Sequence, residues 1–303
     1  MSIVEEPRQR LGRRLVNAGA AATMAYLFAP IVVIVLFSFN DPKGKYNIVW
    51  NGFTLRNWAH PFSHPELTDA LVVSLKVAAV STLIATVLGS CIALALSRYR
   101  FKGSGAVNLF LVLPLTSPEI VLGSSLATLF IARGATFGYV TVIIAHVMFQ
   151  VSFVAVTLRA RIRGFDWSLE QAAMDLGATP ARAFWKVTFP LILPGILAAA
   201  LLSFALSIDD FIITFFNAGE LVTFPLQIFG ASRVAIPAQI NVLATMLLVA
   251  SIAIMTVGLV SGARKDRRLN GGDRRRCPGT SSRWPLLRPT PGRPTRCAPV
   301  EGR

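Results

Sequence analysis

Apolar residues in this chain come in long unbroken blocks. Neither the alternation of a half-buried strand nor the three-and-four spacing of a surface helix dominates. Six blocks, at 18–39, 70–97, 106–131, 139–158, 191–217 and 240–262, are each about as long as the roughly 20 residues an α-helix needs to cross a bilayer. They predict an all-α polytopic membrane protein with six transmembrane helices. Two polar interruptions carry information of their own. Segment 40–69 contains Trp50, Trp58 and several Asn and Pro, and is expected to lie along the membrane interface. Segment 219–239, GELVTFPLQIFGASRVAIPAQ, is too short and broken to span, and predicts a surface loop or re-entrant piece covering one end of the bundle.

Composition agrees with the blocks: 53% of residues are hydrophobic, 15% are charged, and the mean hydropathy is +0.58. The formal charge of +15 is unevenly spread. With the N-terminus inside, the inner segments 1–17, 97–105, 159–189 and 263–303 hold 24 Lys and Arg, against 5 in the outer segments. That asymmetry places both termini in the cytoplasm. The first block follows Arg8, Arg10, Arg13 and Arg14 and is longer than the 7–15 apolar residues of a signal peptide, so it reads as a retained anchor. Lys76 sits at the outer end of the second block, where its stem can snorkel. Residues 263–303 are rich in Arg, Pro and Gly without periodicity and predict a disordered cytoplasmic extension. No basic stripe interleaves with aromatics, so no nucleic-acid partner is expected. Cys91, Cys277 and Cys297 show no metal spacing, and neither a disulfide nor a cofactor is expected. The chain has no GxxxxGK[ST] loop and cannot itself hydrolyse ATP that way.

One inner segment, 159–190, departs from the rest. Within EQAAMDLGATPARAFWKVTFP, Ser168 fits an N-cap and Gln171 the third position of a capping box. Leu169, Ala172, Ala173 and Leu176 fall on one helical face, and Gly177 supplies a left-handed stop. A second helix begins with Thr179 as N-cap and Pro180 at the first helical position, carries Phe184, Trp185 and Val187, and is expected to end at Pro190. The small apolar face suits a plug for a groove on a partner. A hairpin folded under its own bundle fits the residues equally well.

The same stretch resembles the cytoplasmic coupling loop of ABC-importer permeases: Glu-Ala-Ala, three residues, Gly, nine residues, an aliphatic, one residue, Leu-Pro. Here Gln171, Ala172 and Ala173 precede Gly177, and Val187 and Pro190 follow at the right distance, with Gln171 for Glu and Phe189 for Leu. Glu170 is an acid one position out of phase. LPLTSPEIVLGSSL, AHVMFQVSFVAVTLRARI and LSIDDFIITFF are similar to the spermidine/putrescine branch, specifically its second permease subunit, over about residues 20–268. The resemblance implies the type I importer permease fold and a non-enzymatic half-pore in a bacterial inner membrane. It implies as partners a second homologous permease subunit, two copies of a cytoplasmic ATPase subunit that each receive one coupling helix, and an extracytoplasmic solute-binding protein.

Three acids lie within apolar blocks: Glu119, just after Pro118, and the adjacent pair Asp209 and Asp210. A charge at the bilayer centre costs about 2.5–3.5 kcal/mol on insertion scales, so such groups seldom face lipid. For a polyamine cargo they are candidate transient counter-ions along its path. They could instead organise broken helix ends near Pro114 and Pro118. His146 and Gln150, one turn apart, read as interhelical hydrogen-bonding groups, and Phe211, Phe215 and Phe216 as packing. An intramembrane aspartyl protease would need its two aspartates to share a water. Neighbours on one helix diverge by about 100° and cannot readily do so. An ion-coupled carrier would not explain the capped hairpin. An importer permease for an amino acid, sugar or metal chelate is the nearer rival.

Overall fold

In the computed structural model, residues 7–99, 101–253 and 256 are described. The chain divides between Leu247 and Leu248 into two units, and the buried apolar clusters among the described residues lie in the first. The expected tail 263–303, with Cys277 and Cys297, lies outside the described residues.

The order is helical throughout: α1 (Pro7–Phe37), α2 (Arg56–Ala59), α3 (Pro65–Arg98), α4 (Ser104–Thr116), α5 (Glu119–Ala132), α6 (Tyr139–Ile162), α7 (Ser168–Asp175) and α8 (Pro180–Ala183). A π-helical turn (Phe184–Thr188) leads into α9 (Phe189–Asp209), followed by α10 (Ile212–Asn217), α11 (Phe224–Ala231) and α12 (Ala238–Ala253). Only two isolated β-bridges occur among the described residues.

Among the described residues, four helical stretches are long and apolar enough to cross a membrane: Gly12–Phe37 in α1, α3, α6, and Pro180–Asp209 ending in α9. Two expected spans are broken. The block read as one span over 106–131, with broken helix ends near Pro114 and Pro118 as an alternative role for its acid, is α4 and α5 meeting at 109°. Pro118 can donate no N–H and pushes Ser117 into an extended conformation (φ −75°, ψ 138°). Hydroxyls at the bend bond back to carbonyls of the preceding turn. The Ser117 hydroxyl donates to Leu113 O at 2.7 Å and the Thr116 hydroxyl to Val112 O at 3.2 Å. The block over 191–217 is likewise interrupted at Asp210, whose ψ of 121° ends α9. Of the sixth expected span, 240–262, the described part is helical but shorter than a full crossing.

The core is the triad α3, α6 and α9. Lipid gives helices no hydrophobic reason to associate, so contact depends on close backbone approach at small residues. Gly89 of α3 provides it. A Cβ there would stand 2.7 Å from Val154 Cβ and 3.0 Å from Val151 O. At Gly195 of α9 the nearest obstacle is Arg161 Cγ, part of a flexible stem. Gly89→Ala is therefore expected to destabilise the bundle by about 1–3 kcal/mol. Thermal unfolding in detergent checks this, and Val154→Ala should restore little of the Gly89→Ala loss, because alanine keeps the Cβ that the new methyl meets. By contrast, none of the α1 span is buried against the rest of the chain.

The segment 40–69 is folded rather than merely stretched along an interface. Asn40 Nδ2 donates to Asn47 Oδ1 (2.6 Å) and Val49 O (2.7 Å), while Asn40 Oδ1 accepts from Asn51 N (2.8 Å). Phe39 stacks on both Phe53 and Trp58. The segment also meets 219–239, through Asn47 N–H to Ile236 O and Ile236 N–H to Lys45 O, each 2.9 Å. Between them lies an open groove of about 840 Å³, lined by Asp41, Lys45, Arg56, His60, Glu66 and Gln227 among others.

Candidate functional site

Two regions carry the candidate residues. The first is the hairpin after α6. Ser168 is not the cap of α7. It is the first helical residue, and its N–H is accepted by Asp166 Oδ1 at 2.9 Å. The Ser168 hydroxyl, and then its N–H, hold the exposed Asp166 carboxyl below the usual carboxylate range. The cap is thus in place from neutral pH down to that range, and is lost only as pH falls through the depressed value. The expected capping box with Gln171 is absent, because the side-chain cap comes from two residues earlier.

The end of α7 follows the expected chemistry. Gly177 has φ +88°. Its N–H bonds Met174 O at 2.9 Å, and Ala178 N–H bonds Ala173 O at 3.0 Å, the paired bonds of a Schellman turn. Thr179 caps α8, accepting from Arg182 N at 3.4 Å, with Pro180 at its first position. Pro190 does not end the second helix. The chain widens into the π turn and continues through Pro190 into α9. The wider turn suits a sequence that lacks N–H donors at Pro190 and Pro194.

The face of α7 predicted to be apolar is open. Leu169 is 47% and Leu176 91% exposed, Gln171, Ala172 and Gly177 are exposed, and Ala173 is half-buried. Trp185, on the adjoining turn, is 62% exposed, Val187 is half-buried, and Pro190 is exposed. Glu170 points the other way. It is buried, with Oε1 2.7 Å from Arg98 Nη2 and Oε2 accepting the Thr188 hydroxyl at 2.7 Å. The sequence showed Arg98 only as an inside-positive charge, and nothing in it marked Thr188. Glu170 is 72 and 18 positions from these partners, far beyond the three or four that make neighbours on one helix.

The second region is formed by the two helix breaks. Asp210 is 8% exposed and serves the foot of α10. It accepts from Ile213 N (3.3 Å), Thr214 N (2.8 Å) and the Thr214 hydroxyl (2.7 Å). His146 lies beside it, Nε2 3.3 Å from Asp210 Oδ2 and 2.9 Å from Thr214 Oγ1, with Nδ1 2.7 Å from Ser207 Oγ. Ser207 meets Ser81 at 3.2 Å, and Gln150 donates to Ser81 at 3.3 Å. His146 and Gln150 are interhelical hydrogen-bonding groups, as the sequence suggested. This polar seam joins α3, α6, α9 and α10. Among the described residues no group of three or more His, Cys, Asp or Glu is placed to hold a metal.

Asp209 and Glu119, by contrast, are exposed, and Asp209 lies within electrostatic reach of both Glu119 and Asp210. The two breaks are fastened together: Asn217 Nδ2 donates to Gly123 O at 3.1 Å, and Gly123 is too tightly packed on Ile213 to carry a side chain freely. Phe211 rings contact Phe215 and Phe229 at 5.7 and 4.9 Å, and Phe215 is 55% exposed. The adjacent aspartates therefore have opposite environments, one free and one fully engaged, an arrangement that cannot work as a shared-water dyad.

Residues 85–271 match the family described as binding-protein-dependent transport system inner membrane component. The chain is 36% identical over 242 residues (80% of it, 93% of the relative) to the spermidine/putrescine transport system permease protein PotC of Haemophilus influenzae. It is 36% identical over 252 residues (80% and 89%) to the putrescine transport system permease protein PotI of Escherichia coli. Its fold is similar, with a TM-score of 0.58 and 14% identity over 83% of this chain and 93% of the other, to a chain of a bacterial alginate ABC transporter in complex with alginate pentasaccharide-bound periplasmic protein.

Proposed function

Because the chain belongs to the family of binding-protein-dependent transport system inner membrane components, we propose that it forms half of the pore of an ATP-driven importer for spermidine, putrescine or a close polyamine. It is a permease subunit of an ABC importer and not an enzyme. In this reading a second homologous permease completes the pore and an extracytoplasmic binding protein delivers cargo at the outer groove. Two ATPase subunits drive the cycle, each gripping one coupling helix. The permease domain is 18–262, the coupling loop 159–190, and both termini face the cytoplasm of a bacterial inner membrane.

One observation carries the coupling role: α7 and its C-cap present Leu169, 47% exposed, and Leu176, 91% exposed, on one face. An eight-residue helix does not persist on its own propensity, and leaving such a face bare is unfavourable unless a partner covers it. Closure of the ATPase pair brings the two coupling helices together and opens the bundle outward. Hydrolysis reverses the motion and releases cargo inside.

For the cargo, the exposed carboxylates Asp209 and Glu119 lie at two helix breaks, and Phe211 and Phe215 follow Asp209 in the chain with their rings in contact. A polyammonium chain takes up carboxylates and ring faces in turn, and a few weak contacts allow it to move on. Asp210 belongs to the same path as its scaffold, holding α10 in place.

Reconstitution with the three partners tests the reading. ATP-dependent uptake of radiolabelled spermidine, abolished when the binding protein is omitted, is the expected result. Uptake of an amino acid, sugar or metal chelate in its place would overturn the cargo. Uptake without ATP would overturn the class.

A further inference from the structure

We infer that Arg98, Glu170 and Thr188 form a latch that makes α7 move as one body with the inner end of α3 and the foot of α9, so that Glu170 is a positioning residue for energy transfer. The inference rests on the reading above that α7 is where an ATPase pushes.

The case begins with how little else holds α7. Leu169 is 47% exposed, Met174 is half-buried, and the helix's one fully buried side chain is a carboxylate. Burying a carboxylate is unfavourable unless it is paired and bonded: Glu170 Oε2 accepts the Thr188 hydroxyl at 2.7 Å, and Oε1 lies 2.7 Å from Arg98 Nη2 as an ion pair whose angles fall short of a hydrogen bond. The partners come from different elements. Arg98 is the last residue of α3, and Thr188 is the last residue of the π turn that runs into α9. One side chain therefore ties three elements together at the point where the hairpin joins the bundle.

The anchor is itself fixed. The Arg98 guanidinium lies 5.8 Å from the Trp167 ring, and Trp167 is edge-on to Phe165 at 4.7 Å. Both rings pack on the buried cluster Ala93, Leu158, Ile162 and Ile192, from α3, α6 and α9. Glu170 thus grips the most rigid part of the inner end. Gln171 and Ala172, the next residues, face outward. Successive helical positions diverge by about 100°, so one short helix can take a push on one side and hold the bundle with the other. Thr188 reaches Glu170 from a π turn, the kind of helical irregularity found often at functional positions. Buried ion pairs are weak evidence for stability and better attested as devices that fix one geometry. Fixing a geometry is what a force-transmitting joint requires.

Glu170→Gln keeps the shape and an acceptor for Thr188 and removes the charge that Arg98 meets. Arg98→Gln removes the other partner. The intact four-component complex, reconstituted in liposomes, is assayed for cargo moved per ATP hydrolysed. Spin labels at Gln171 and Phe101 report the distance spread between α7 and the end of α3. Each single variant is expected to assemble, to lower cargo per ATP by about tenfold, and to broaden the distance distribution. The double variant should do no further harm, because the pair is already lost. The latch is overturned if cargo per ATP stays within about twofold of wild type, if the two effects multiply in the double variant, or if the distribution stays narrow. It is also overturned by transport that falls only in proportion to assembled complex, the mark of a plain brace. Failure of the wild-type chain to bind any ATPase would refute the coupling reading instead, and the distance width would then judge the latch alone.

Discussion

A complex carrying Gly177→Val hydrolyses ATP within about twofold of the normal rate yet moves cargo at least about tenfold more slowly. The reason is confined to the backbone. A Cβ at Gly177 would meet no atom within 4 Å, so crowding plays no part. The φ of +88° is the obstacle, in a region β-branched residues avoid. Holding valine there costs about 1–3 kcal/mol. The chain escapes that strain by unwinding the bonds from Gly177 to Met174 and from Ala178 to Ala173, which set the angle between α7 and α8. A change of one or two kcal/mol shifts a two-state population by a factor of roughly 5–30, enough to leave most coupling helices misaimed. Gly177→Asn supplies the control, because asparagine tolerates the left-handed region. It should retain most of the uptake. Equal uptake by the valine and asparagine variants would contradict the role given to this turn.

The adjacent aspartates are expected to fail in different ways. Asp210→Ala removes the acceptor for Ile213 N, Thr214 N and the Thr214 hydroxyl, and takes one of three polar neighbours from His146. Losing one partner of a buried charged network costs about 3–5 kcal/mol, so the yield of assembled complex should collapse. Asp209→Asn changes an exposed carboxylate and keeps its shape. Assembly and ATPase activity should be preserved, with spermidine uptake down about tenfold, the loss of one charged contact of 1.4 kcal/mol. Size-exclusion yield and uptake, measured on both variants, separate scaffold from path. An Asp209→Asn complex with normal uptake would remove that residue from the cargo route.

What could be read from the sequence was whatever leaves a local signature. The hairpin after α6 was legible at Gly177 and at Thr179–Pro180 because a left-handed stop and an N-cap need those residue types at those positions. The polar seam was half legible. His146 and Gln150 announced interhelical bonding, but their partners Ser81, Ser207 and Thr214 are ordinary until the helices are side by side. The bend at Ser117–Pro118 and the break at Asp210 were hidden within apolar blocks long enough to look continuous. Pro118 and the two aspartates were the available hints, and hydropathy alone passes over them. The same limit explains Pro190: a proline in the first turn of a helix looks, in sequence, much like one that stops it. Least visible was the inward turn of Glu170. The family motif draws attention to the next position, Gln171, and the burial of Glu170 depends on Arg98 from a distant helix end.

The central claim, that α7 is the cytoplasmic surface through which a separate ATPase drives this bundle, is tested most directly at Ala172, which is exposed. In a background lacking Cys91, Cys277 and Cys297, Ala172→Cys is treated with a membrane-impermeant maleimide in right-side-out and inverted vesicles. The account predicts labelling only in inverted vesicles, protection when the ATPase subunits are bound, and cross-linking of that cysteine to an ATPase subunit. Labelling from the outer side, or unchanged labelling with no cross-link when the ATPase subunits are present, would contradict it.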